Sequence, residues 1–233
     1  IDPVPAPLAQ TLGLPSLEEA LRSVHFPPEA CSIADLNAFE TAFHKRLLFD
    51  RFFLVMLTIA FRKRRRNKKT CLSLTLSSKA TNEVGRFFPF AFTLDQTRAV
   101  HDILRDLSSG KPMSRLLMGD VGCGKTAVAA VAAYACIQNN GQAAIMAPTQ
   151  VLASQHLEYF SGLSGKMGFR PALLTGMLKK SERDDLYRKI KDGGCNLIIG
   201  TQSLIQEDLV FRNLGLVIID EQHRFGVKER ALI

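Results

Sequence analysis

The sequence has little that would hold it together other than a core. Its five cysteines, Cys31, Cys71, Cys123, Cys136 and Cys195, stand singly, with no CxxC and no Cys/His ligand spacing. That pattern argues against a disulfide framework and a structural zinc, and it suits a reducing cytoplasm. Long apolar runs are missing as well. A bilayer span needs about 20 apolar residues, and the most apolar stretch, Phe52 to Ala60, is closed by Arg51 and Arg62. It reads as a buried helix with no membrane role. No secretory leader opens the chain, and its first residue is Ile rather than Met, so further residues are expected upstream.

Charge of one sign is scarce outside a single place. The formal net charge is +8, and removing the seven cations of FRKRRRNKK (Arg62, Lys63, Arg64, Arg65, Arg66, Lys68, Lys69) leaves +1. No aromatic residue interleaves that run, so a solvated helix end is its plain reading, with a salt-sensitive phosphate clamp as the other.

What is present is a chain of 233 residues, 46% hydrophobic, long enough for one full core and a small second unit. Residues 1–15 are Pro-rich and read as an extended linker or the end of an upstream domain. Residues 16–86 read as a helical linker region. Ser16 and Glu19 have capping-box spacing for a short helix stopped by Pro27 and Pro28. Asp35 to Arg66 then predicts one long helix, with Phe39, Phe43, Leu47, Phe53 and Leu57 as its apolar stripe. Asn67 to Arg86 is polar and aperiodic, a loop and a domain boundary.

From residue 87 to 233 the pattern becomes an alternation of helices and short apolar strands. Helices are expected at Thr93–Leu107, Lys125–Gln138, Gln150–Phe160 and Ser181–Lys191. Strands are expected at Arg115–Met118, Gln142–Ala147, Pro171–Leu174, Asn196–Ile199 and Leu216–Ile219. The strands carry consecutive apolar residues, as strands covered on both faces do. The fold class is therefore α/β, a doubly wound, mainly parallel sheet, whose ligands bind beyond the carboxyl ends of the strands.

Gly119, Asp120, Val121, Gly122, Cys123, Gly124, Lys125 and Thr126 match GxxxxGK[ST] between an expected strand and an expected helix. The glycines let successive amide N–H groups turn inward on phosphate oxygens, Lys125 would reach the β and γ phosphates, and the Thr126 hydroxyl would hold Mg²⁺. The helix start adds its positive dipole end. A triphosphate, ATP, is the expected ligand. Asp220 follows the strand of LGLVIIDEQH and is the natural second metal residue; Glu221 is placed to orient or deprotonate the attacking water. Gln96 has two readings that stay open: a capping-box partner for Thr93, and a two-point contact to adenine.

In order, FTLDQ, GDVGCGKT, APTQVLASQH, LLTG, IIGTQSLIQ and IIDEQH resemble the first motor lobe of a superfamily 2, DExH-type helicase with a RecA-like P-loop fold. PMSRLLMGDVGCGKT, NLGLVIIDEQHRFGV and LPSLEEALRSVHFPPE are more closely similar to the RecG family, bacterial DNA helicases that remodel stalled forks and branched recombination intermediates. The resemblance strengthens the adenine reading of Gln96. It implies that Pro148, Thr149, Thr175, Gly176, Gly200 and Thr201 touch the DNA phosphate backbone, with an ordinary capped loop as the alternative at each. It also implies that His223 couples hydrolysis to the strand-binding side. The implied partners are branched or single-stranded DNA, a second motor lobe and a wedge domain of the same parent chain, in a bacterial, nucleoid-associated cytoplasmic setting. Because the sequence stops 13 residues after Asp220, the fragment alone is expected to hydrolyse ATP slowly or not at all. A transcription-repair coupling translocase and a silent nucleotide- or DNA-binding module are the alternatives.

Overall fold

The computed structural model describes residues 2–77, 80 and 83–221. It divides into two compact units, Ile1–Lys69 and Thr70–Ile233.

The first unit is helical: α1 (Ala6–Thr11), α2 (Leu17–His25), α3 (Ile33–Asn37) and α4 (Ala42–Asn67). Ser16 caps α2 as its spacing predicts, the hydroxyl accepting from the Glu19 N–H at 3.1 Å. The single helix expected from Asp35 to Arg66 is instead two. Phe39 takes a left-handed φ of 59°, and Thr41 opens a new helix by accepting the His44 N–H at 3.3 Å, a capping chemistry that wins over an unbroken apolar period.

The expected burial of Phe52–Ala60 also fails. Phe52, Leu54, Val55, Met56, Ile59 and Phe61 are all exposed. Length explains it: α4 has 26 residues and α2 has 9, so α2 is about 14 Å long against about 39 Å for α4. The side chains of α4 that are buried are Arg46 and Asp50. Arg46 Nε donates to Asp50 Oδ1 at 2.8 Å and its Nη1 to the Pro15 carbonyl at 2.7 Å, while Nη2 donates to Asp2. Burial alone would lower the basicity of this guanidinium, but its hydrogen bonds to Asp50 and Asp2 outweigh it and raise it. Asp2, held first by the Val4 N–H, lies below its ordinary value. One cation thus ties α4 to the segments before α1 and α2.

The second unit contains β1 (Gln142–Met146), β2 (Pro171–Leu174), β3 (Leu197–Gly200) and β4 (Leu214–Ile219), all parallel in the order β2-β3-β1-β4. Its helices are α5 (Leu94–Ser108), α6 (Lys125–Gln138), α7 (Gln150–Met167) and α8 (Lys180–Lys191). Alternate strand residues feed two cores. Leu197 and Ile199 join Ala143, Ile145, Val131, Phe160 and Leu163 on one face; Ile198 joins Leu174 and Ile190 of α8 on the other. Both faces are covered, as the unbroken apolar runs require. The small residues of α6 bring it close to the sheet, with nine of its side chains buried. Leu74 and Val84, from the stretch expected to be a loop, belong to this core too.

Two expectations change here. Helix α7 runs past Phe160 to Met167 and closes on Gly168 at φ 68°, because Gly162 and Gly165 inside it are tolerated and the left-handed cap is what stops it. Arg115–Met118 forms no strand. Leu116 and Met118 are exposed, and β4 ends the described sheet without pairing to this segment. An apolar run makes a strand only where a neighbour supplies the ladder.

Candidate functional site

All four strands are parallel, so their carboxyl ends meet one edge. The register places Leu174, Gly200, Met146 and Ile219 level with one another. The next residues, Thr175, Thr201, Ala147 and Asp220, therefore form a row, extended by the Ala147 N–H to Gly200 carbonyl bond at 2.8 Å and the Asp220 N–H to Met146 carbonyl bond at 2.9 Å. Helix α6 precedes β1 and packs on β1 and β4, so it runs back along the sheet and brings its start, Lys125, to this same edge.

The glycine-rich turn 119–126 leads into α6 at Lys125, although the strand expected before it does not form. Gly122 and Gly124 have φ of 81° and 82°, a region that costs L residues energy. Lys125 Nζ donates to the Gly119 and Asp120 carbonyls, each at 2.8 Å, which plants a cation within the turn. Thr126 follows in the first turn of α6. Amide donors, an ammonium and a hydroxyl at a helix start suit an oxyanion ligand.

Gln96 makes the predicted capping box: its Oε1 accepts the Thr93 N–H at 2.9 Å, and Thr93 Oγ1 accepts the Gln96 N–H at 3.2 Å. Its Nε2 also donates to the Cys123 carbonyl at 2.8 Å. A Cβ on Gly124 would lie 2.3 Å from that nitrogen. One residue therefore serves the cap and braces the turn.

On the strand-end row, Thr149 caps α7 by accepting the Leu152 N–H at 3.3 Å, after the half-buried Pro148. Thr175 is buried, Gly176 exposed and Thr201 half-buried. Gly200 allows β3 to approach β2, for a Cβ there would meet the Leu174 carbonyl oxygen at 2.3 Å. Glu221 takes a left-handed φ of 51°, a costly backbone state for a residue with a side chain and one that gathers at functional sites. His223 lies outside the described residues.

One participant escaped sequence reasoning. His156, on α7, places Nε2 2.9 Å from Asp220 Oδ2. Its signal was present in APTQVLASQH, where it lies seven residues after Thr149, but nothing in one sequence says that it faces Asp220.

A cavity of about 510 Å³ lies at the opposite end of the strands, lined by Gln142, Arg170, Gly193, Arg212 and Asn213 among others. It does not fit the same chemistry. Helix carboxyl ends converge there, and its arginines are spent on the carbonyls of Gly193, Gly194 and Asp192.

A parallel sheet covered on both faces, with a glycine-rich lysine turn and an acid at its carboxyl edge, defines a RecA-like P-loop lobe preceded by a helical region. Residues 93–232 match the DEAD/DEAH box helicase family, and the chain belongs to that family. It is 39% identical over 230 residues to the ATP-dependent DNA helicase RecG of Aquifex aeolicus (strain VF5), a match covering 99% of this chain and 29% of that protein. Against RecG of Bacillus subtilis (strain 168) the identity is 38%, covering 98% of this chain and 33% of that protein. A solved structure described as RecG bound to a three-way DNA junction superposes with a TM-score of 0.85 at 35% identity, covering 97% of this chain and 30% of that one. The chain thus spans about a third or less of the relatives' length. No helix among the described residues is long and apolar enough to cross a membrane.

Proposed function

We propose that this chain is the linker and first motor lobe of a RecG-type ATP-dependent DNA helicase or translocase that acts on branched DNA and stalled forks in recombination and repair. The observation that carries the reading is the meeting of the Lys125 turn and Asp220 at one sheet edge, in a chain similar to RecG over nearly its whole length. Residues 16–86 are the linker region and 87–233 the lobe; a second lobe and a wedge domain complete the parent protein, in the bacterial cytoplasm.

In this reading the amides from Gly119 to Thr126 receive the phosphates of ATP, and Lys125 turns from its two carbonyls onto the β and γ oxygens. Thr126 and Asp220 hold Mg²⁺, whose charge offsets that of the phosphates. Glu221 orients the attacking water and takes its proton. Gln96 has a second amide hydrogen and a second lone pair beyond those used in the fold, enough for the adenine edge; His223 joins the nucleotide side. Pro148, Thr149, Thr175, Gly176, Gly200 and Thr201 offer backbone amides and hydroxyls to DNA phosphates, contacts that position a strand without reading its bases.

The test is the affinity of a fluorescent nonhydrolysable ATP analogue for the 233-residue chain, with Lys125→Ala beside it. Loss of a charged hydrogen-bonding group should weaken binding about 10- to 100-fold. No binding by the wild type, or equal binding by the variant, would sink the reading.

A further inference from the structure

We infer that His156 is the positioning residue for Asp220, holding one carboxylate oxygen so that the other is presented to a divalent cation. This rests on the proposed nucleotide site and adds a residue to it. A carboxylate only accepts hydrogen bonds, so the 2.9 Å contact requires a hydrogen on His156 Nε2. The imidazole is largely covered, with 15% of its side chain exposed against 32% for Asp220. The Asp220 backbone is fixed by the Met146 carbonyl. With the main chain and Oδ2 both held, rotation of the carboxyl group about its broad terminal torsion is stopped, and Oδ1 is the oxygen left for the metal.

The partner is also well placed in the fold. His156 lies on α7, two turns from the Thr149 cap. The helix whose start meets DNA phosphate in the proposed function therefore carries, further along, the group that sets the metal acid.

A His–Asp contact between helix and strand would also serve as a plain structural staple, so the experiment separates the two. The 233-residue chain, its His156→Ala variant and its His156→Gln variant are titrated with the fluorescent ATP analogue, first in EDTA and then with Mg²⁺. Gln restores an N–H at nearly the reach of Nε2. All three should bind equally without metal. The Mg²⁺-dependent tightening should fall about 10- to 100-fold in His156→Ala, the usual effect of losing a partner of a metal ligand, and recover in His156→Gln. Should His156→Ala fail to fold, His156→Met fills the space without a donor and replaces it in the comparison. An unchanged Mg²⁺ increment in the donor-less variant overturns the inference, as does equal loss of metal-free binding in both variants. Wild-type chain that binds no analogue even with Mg²⁺ overturns the nucleotide site itself, a result distinct from either.

Discussion

The longest helix of the first unit and the sheet of the second bury different kinds of residue. In the first, the long helix α4 hides Arg46 and Asp50 while its Leu48, Phe52, Leu54, Leu57 and Phe61 are exposed. In the second, strands and helices hide Ile, Leu, Val, Ala and Phe on both sides of a sheet. One is held by directed bonds converging on a guanidinium, the other by filled volume. The difference follows from partners: among the described residues α4 packs chiefly on the short helix α2, whereas the sheet has a layer above and below. Hydrophobicity decides burial only where something exists to bury against.

The contrast can be broken by mutation. Phe160, fully buried in the second unit, should cost about 3–5 kcal/mol when changed to Ala, read from urea unfolding, while hydrogen exchange in α4 stays as it was. Equal loosening of α4 would erase the distinction.

Alkali should act next, and on the second unit alone. Burial in the core pushes the Cys136 thiol up from 9.0 to about 11. The fold therefore favours the neutral thiol: its contribution is intact below pH 9 and is lost as pH climbs through about 11. That amounts to roughly 2–3 kcal/mol. Cys136→Ala should flatten the decline between pH 9 and 11, measured as unfolding free energy against pH.

The smallest effect belongs to the clamp. Arg46→Met leaves Asp50 and Asp2 without their cation, yet Asp2, with 37% of its side chain exposed, is open to solvent that screens its charge. The cost should be about 1–2 kcal/mol, between that of exposed and deeply buried pairs. Faster exchange of the α4 amides, with the second unit unchanged, is the expected readout; a cost above that of Phe160→Ala would reverse the comparison.

Much of the second unit was legible because each signal was local. Lys125–Gln138 and Pro171–Leu174 fall where the pattern places them, and Thr93 with Gln96 makes the box that its spacing announces. The lysine turn and Asp220 were legible as motifs, and the parallel alternation places them at one edge. What stayed hidden depends on neighbours that a single sequence does not display. Arg115–Met118 has strand composition without a ladder, and Phe52–Ala60 has core composition without a cover. His156 sits 64 positions from Asp220, beyond any periodicity. The break at Phe39 was readable in principle, since Thr41 is a good cap, but the apolar spacing across it masked the signal.

The level row at the strand ends has a further consequence. Neighbouring strands stand roughly 4.8 Å apart, so Thr175, Thr201, Ala147 and Asp220 mark even intervals along the sheet edge. The edge is a ruler whose graduations are set by main-chain hydrogen bonding. Side-chain changes can blunt a mark, and adding or removing a strand would change the number of marks, but the interval stays as it is.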